Sequence, residues 1–292
     1  MFRSGYVSLT GRPNVGKSTL LNSIIGEKVA IVTPKPQTTR NRLVGVKTLP
    51  EAQIVFVDTP GIHAPQHKLG EWMVREAQAP LKEVDIVLFL VEPSLPGRGD
   101  LQILAMLKDL EKPVFLVVNK IDTVKKPALL PVIDAYGKLY PFREVIPVSA
   151  LNGDGVEVLL AALVKTLPEG PKYYPDDIVT DQVERFMVAE IIREKLMHQT
   201  EEEVPHSVAT EVVGWSERED GVVLIRANIY VEREGQKGII IGKEGARLKA
   251  VGTSARREIE DLLGTKVFLE LWVKVKKDWR SRDNMLRELG FK

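Results

Sequence analysis

The sequence predicts two domains of different class: an α/β domain with a mostly parallel sheet and helices on both faces over residues 1–167, and a smaller α+β domain over residues 181–292. Three observations predict this division. Short β-rich runs alternate with amphipathic stretches as far as Leu167. The ten residues Pro168 to Asp177 then hold three prolines and one glycine, a composition that disfavours regular structure and reads as a linker over 168–180. Beyond it a helix precedes strands of alternating polarity.

In the first domain, strands are expected at Gly5 to Thr10, Leu43 to Leu49, Gln53 to Asp58, Asp85 to Val91, Val114 to Asn119 and Glu144 to Val148. Between them, apolar residues at helical spacing predict helices at Lys17 to Ile25, Leu69 to Gln78, Leu101 to Leu110, Leu129 to Leu139 and Val156 to Leu167. Ligands of such sheets gather at the carboxyl ends of the strands. In the second domain a helix from Asp181 to Met197 leads into strands near Val208 to Val213 and Gly221 to Glu232. A Gly-rich turn and a helix with Leu248, Val251, Ala255, Ile259 and Leu262 on one face follow, and a strand from Lys266 to Lys276 comes last.

Composition excludes several classes. With no cysteine among 292 residues, disulfides, thiolate metal sites and thiol nucleophiles are all absent. The four histidines, at 63, 67, 198 and 206, show no metal-ligand spacing beside further ligands. Apolar runs such as Ile86 to Val91 fall far short of the ~18 residues of a spanning helix. The early strand after Met1 leaves no room for a signal peptide, so a cytoplasmic address is expected. The net charge of +1 hides an asymmetry: residues 171–234 carry −8 and residues 235–292 carry +6, which points to the final segment as a polyanion surface.

Gly11-Arg12-Pro13-Asn14-Val15-Gly16-Lys17-Ser18, followed by Thr19, matches G-x-x-x-x-G-K-[ST] between a hydrophobic strand and a helix. Backbone N–H groups in such a loop face phosphate oxygens, Lys17 neutralises the β and γ phosphates, and Ser18 ligates Mg²⁺. Asp58-Thr59-Pro60-Gly61 ends an apolar strand, placing Asp58 at the same sheet edge to hold Mg²⁺ through water and the Gly61 N–H to sense a γ-phosphate. Asn119-Lys120-Ile121-Asp122 follows another apolar strand. A carboxylate there accepts two hydrogen bonds from guanine that adenine cannot offer, which discriminates by a factor on the order of 10⁴. Lys120 lies along the base, Asn119 ties this loop to the phosphate loop, and the backbone of Ser149-Ala150 meets the guanine carbonyl.

In this order and spacing the four elements resemble the P-loop GTPase domain of the translation-factor-like GTPases, over residues 5–167. The resemblance implies a switch threonine on Mg²⁺: Thr39 is preferred to Thr38, with Thr33 open. Lys17, Thr39 and Gly61 are then the catalytic candidates, and Ser18, Thr39 and Asp58 the metal set. One departure is Ile62, where Ras-like members carry a water-orienting glutamine, so intrinsic hydrolysis is expected to be slow. Asn14 resembles a residue that in related bacterial GTPases helps bind K⁺; shaping the loop is its alternative role.

Gly242-Lys243-Glu244-Gly245 places G-x-x-G between two helical segments, in a strand, helix, helix, strand order that resembles the KH fold. Its loop clamps a nucleic-acid backbone while a groove receives about four bases. Lys243, Arg247 and Lys249 are assigned phosphate contacts, with Arg256 and Arg257 nearby. Packing beneath a helix is expected for Phe268 and Trp272 ahead of base stacking, and Lys274 to Arg280 suits RNA or anionic headgroups equally. One GTP-binding domain before a KH domain, with Pro36-Gln37-Thr38-Thr39-Arg40 in the switch, is similar to the Era family of bacterial GTPases. That similarity implies GTP/GDP and Mg²⁺, a monomer, and small-subunit rRNA engaged at its single-stranded 3′ end in assembly of the small ribosomal subunit. It also implies peripheral contact with the inner face of the cell membrane. The alternative reading is a membrane-associated regulatory GTPase of cell division or stress signalling.

Overall fold

A computed structural model describes residues 1–291. The chain folds into two compact units, the first comprising 1–30, 39–65 and 70–181, the second comprising 31–38, 66–69 and the chain from 182 onward. The first unit is built on six strands: β1 (Arg3–Gly11), β2 (Leu43–Thr48), β3 (Ala52–Asp58), β4 (Ile86–Val91), β5 (Val114–Val118) and β6 (Glu144–Pro147). Their order is β2-β3-β1-β4-β5-β6, parallel throughout except for the antiparallel pair β2 and β3. Every residue of β3, β4 and β5 is buried, the signature of strands covered on both faces.

The connections include α1 (Lys17–Ile25), α2 (Lys68–Gln78), α3 (Arg98–Leu107), α4 (Leu129–Gly137) and α5 (Val156–Thr166). The carboxyl ends of β1, β3, β4 and β5 deliver the loops beginning at 12, 59, 92 and 119 to one edge of the sheet. Helix α3 starts three residues before the expected Leu101, because the Gly97 N–H donates to the Asp100 carboxylate at 2.9 Å and caps a turn that Pro96-Gly97-Arg98-Gly99 disguises.

The segment read as a linker is hydrogen-bonded along the first unit. The Ser4 N–H donates to Pro168 O at 3.1 Å, Val46 N–H to Val179 O at 2.8 Å, and the Thr180 hydroxyl to Val44 O at 2.7 Å. Gln53 Oε1 accepts from the N–H groups of Tyr173 and Tyr174 at 2.7 and 2.9 Å. Because β2 is an edge strand, its outward N–H and C=O groups need partners, and this strap supplies them.

In the second unit, α6 (Glu184–Gln199) and the short α7 (Val204–Ser207) precede β7 (Ala209–Glu217) and β8 (Val223–Val231), followed by α8 (Glu234–Ile241), α9 (Ala246–Leu263), β9 (Val267–Val275) and α10 (Asp283–Glu288). Strand β8 pairs antiparallel with β7 and parallel with β9. The apolar parity of β8 and the Val251, Ala255, Ile259 row of α9 form the core, all at 0% exposure from Ile225 onward. Leu262, expected on that face, is 42% exposed near the helix end. Of the basic aromatic stretch 274–280, Lys274 and Lys277 are exposed, whereas the aromatic and two of the cations are engaged within the unit. Trp279 is buried with its Nε1 donating to Ser207 O at 2.9 Å, Arg280 pairs with Glu232, and Lys276 pairs with Glu288.

Ile259→Ala removes buried volume from this core and is expected to cost about 2–5 kcal/mol, read as a lowered urea midpoint.

Candidate functional site

The loop between β1 and α1 curls with left-handed backbone at Asn14 (φ 65) and Gly16 (φ 97). Asparagine tolerates that region better than most residues, which accounts for Asn14 as a loop-shaping residue. At Gly16 a Cβ would lie 2.2 Å from Asn119 Nδ2, so only glycine fits there. Lys17 is buried, its ammonium donating to the carbonyls of Arg12 at 3.1 Å and Gly11 at 3.4 Å. Burial lowers its pKa to about 8, against the opposing pull of Asp58.

Beside it, the Ser18 hydroxyl donates to Asp58 Oδ2 at 2.6 Å and lies 2.8 Å from Thr39 Oγ1, which reaches the same carboxylate oxygen at 3.5 Å. Thr33 and Thr38 bond each other instead, at 2.6 Å. Asp58 is fully buried, and its other oxygen, Oδ1, has no hydrogen-bond partner. Burial raises its pKa, opposed first by Lys17 and then by Ser18. Two hydroxyls and a carboxylate with an orphaned oxygen form a hard-oxygen donor set that suits Mg²⁺. Thr59 turns away, its hydroxyl donating to Leu9 O, while the Ile62 N–H donates to Gly11 O at 3.2 Å and so seats the Pro60-Gly61 turn against the phosphate loop.

Asn119 joins the two halves of the site. Its Nδ2 donates to Val15 O at 2.8 Å, and its Oδ1 accepts from the Ala150 N–H at 2.9 Å. The Ser149 hydroxyl donates to Asp122 Oδ1 at 2.6 Å and fixes that carboxylate. Lys120 is held in a left-handed conformation (φ 62), its ammonium 2.5 Å from Glu92. Sequence reasoning missed Glu92; the available signal was a carboxylate directly after a buried strand, at the sheet edge where the other site residues emerge.

In the second unit Gly242 (φ 73), Glu244 (φ 51) and Gly245 (φ 78) turn the chain sharply between α8 and α9. A Cβ on Gly242 would sit 2.8 Å from that of Arg247. Arg247 is half-buried and donates to Ile239 O at the surface, whereas Lys243 and Lys249 are exposed. Adjacent to the loop lies an open groove of about 470 Å³ whose walls include Gly245 of the turn, Lys249, Gly252 and Arg256 from α9, and Phe268 and Leu271 from β9. Phe268 does not pack beneath a helix as expected. It is 47% exposed with the Arg218 guanidinium 5.0 Å over its ring, and Trp272 is 60% exposed.

Comparison with known proteins agrees with this geometry. A family model described as 50S ribosome-binding GTPase matches residues 6–120, and a KH domain model matches residues 203–280. GTPase Era of Geobacter metallireducens is 57% identical over 292 residues, covering 99% of this chain and 98% of that protein. GTPase Era of Ruminiclostridium cellulolyticum is 54% identical over 292 residues, covering 100% and 98%. Among solved structures, Era in complex with MgGDPNP and nucleotides 1506–1542 of 16S ribosomal RNA superposes with a TM-score of 0.97 at 45% identity, over 100% of this chain and 99% of that one. An Aquifex aeolicus Era variant bound to GDP and AlF4⁻ gives the same TM-score and identity over 99% of each chain.

Two outcomes are expected of this site. Gly16→Ala should abolish binding of a fluorescent GDP analogue, since the added methyl collides with a doubly bonded Asn119 and strains a positive φ. A phosphate bound beside Lys17 would raise a pKa that burial lowers to about 8, so affinity should fall as pH rises through that range. Calorimetric titration of GDP in two buffers of different ionisation enthalpy should therefore read proton uptake that is larger at pH 8 than at pH 7.

Proposed function

Since the chain belongs to the Era family of GTPases, we propose that it hydrolyses GTP and uses the bound nucleotide to control its grip on the single-stranded 3′ end of small-subunit rRNA during assembly of the small ribosomal subunit. The observation that carries the reading is the Asn119 bridge, which makes one pocket of a phosphate loop and a guanine-reading carboxylate.

In this reading the phosphate-loop amides and Lys17 hold the β and γ phosphates, and Asp122, aligned by Ser149, accepts from the guanine edge. Ser18, Thr39 and Asp58 would hold Mg²⁺, which would supply charge neutralisation for the leaving phosphate oxygens. Lys17 stabilises the same developing charge as water attacks in line. The apolar Ile62 orients no water, which keeps turnover slow, and Asn14, besides shaping the loop, would help hold a potassium ion that would supply further positive charge. Loss of the γ-phosphate releases Thr39 and Gly61, and the segments that carry them relax. Lys243 and Lys249 meet the RNA backbone, while Phe268, backed by Arg218, offers a ring face to a base at the groove wall.

Peripheral membrane contact is a separate proposal, and the burial of Trp279 and the pairing of Arg280 remove residues 274–280 as its aromatic anchor. The protein is proposed to act as a cytoplasmic monomer.

The test is an oligonucleotide carrying the 3′ end of small-subunit rRNA. It should bind more tightly with a GTP analogue than with GDP, and Lys249→Ala should weaken binding while reducing the salt slope by about one charge; equal affinity in both nucleotide states would overturn the control. Asp122→Asn should shift preference from GTP to xanthosine triphosphate in a competition assay, and a retained preference for GTP contradicts the role of Asp122.

A further inference from the structure

Beyond the established parts of the pocket, one buried carboxylate touches the phosphate loop from outside. We propose that Asp100, in the first turn of α3, is a positioning residue for nucleotide binding that acts through the side chain of Arg12.

Asp100 is 0% exposed, and each of its oxygens has a donor. Arg12 Nε donates to Oδ1 at 2.8 Å, and the Gly97 N–H donates to Oδ2 at 2.9 Å. The approach is close along the whole stem of Arg12. A Cβ built on Gly99 would lie 2.8 Å from Arg12 Cδ and 3.2 Å from Cγ, so the helix turn closes directly over the arginine. The charge on Asp100 also adds to the burial that raises the pKa of Tyr136 behind it.

Arg12 is the second residue of the phosphate loop, and its guanidinium points out of the loop while its carbonyl points in, accepting from the Lys17 ammonium at 3.1 Å. Fixing the side chain therefore fixes the peptide that orients Lys17. An arginine left loose would let that peptide rotate, and the ordering cost would fall on nucleotide binding. A charge-assisted bond to a buried carboxylate is strong enough to bear on affinity, because breaking it leaves Asp100 without its cation. The same connection between β4 and α3 carries Glu92 to Lys120, so residues 92–100 reach both the phosphate end and the base end of the pocket.

The inference rests on the nucleotide reading of the pocket, and the experiment separates the two. Affinity for N-methylanthraniloyl-GDP and the melting temperature of the nucleotide-free protein are measured for Arg12→Ala, Arg12→Lys, Asp100→Ala, Asp100→Asn and the double alanine variant. Each single alanine change should weaken affinity about tenfold, the double variant should be no weaker than the worse single, and Arg12→Lys should recover to within about threefold of wild type. Asp100→Asn, which keeps the side-chain shape and one acceptor oxygen but loses the charge and the second acceptor, should fall between wild type and Asp100→Ala without a large change in melting. Losses that multiply in the double variant, a lysine as poor as alanine, or single variants within twofold of wild type whatever their melting temperature would each overturn the proposal. Wild-type protein that fails to bind the probe would overturn the nucleotide reading along with it.

Discussion

The nucleotide pocket depends on one side chain. Asn119 stands at the end of a fully buried strand, and its amide commits a donor to the phosphate loop and an acceptor to the loop after β6. Both loops are glycine-bearing turns at a sheet edge, with no ladder of their own to fix their separation. Because an amide has both donor and acceptor in one rigid plane, it sets the distance between them, which a carboxylate or an aliphatic residue cannot do. The lack of a Cβ at Gly16 is the other half of the same constraint, since the amide occupies the space that a side chain would need.

Around that staple the electrostatics oppose each other in a useful way. Lys17 and Asp58 are both buried, and burial pushes each toward its neutral form while the partner pulls it back toward charge. An anionic phosphate and a cation answer the two needs together, which is why a pocket of this kind gains affinity from groups that are costly to keep in its empty form. The orphaned Asp58 oxygen is the visible trace of that cost.

Much of this was legible in the sequence. Continuous apolar runs marked β4 and β5, the glycine pattern marked the phosphate loop, and the strand ends told where the site residues emerge. What escaped were partners rather than elements. Glu92 and Asp100 belong to no motif, and their value lies in where β4 and α3 carry them. The start of α3 was hidden because a proline and two glycines read as a turn until the Asp100 cap is seen. Phe268 and Trp272 lie on the solvent parity of an edge strand, where apolar character alone gives the wrong side. Residues 168–180 look like spacer because composition records the prolines but not the hydrogen bonds that the neighbouring strand still lacks.

That last segment changes where the first unit ends. A fragment cut at Leu167, as the proline cluster invites, loses the carbonyl of Val179 and the hydroxyl of Thr180 from the outer rim of β2, and leaves the carboxamide of Gln53 without its tyrosine partners. A bare rim of this sort is a template on which another copy can add its own strand. An isolated nucleotide-binding piece keeps that rim covered only if it retains the chain through Thr180, so residues that look dispensable belong to the first unit.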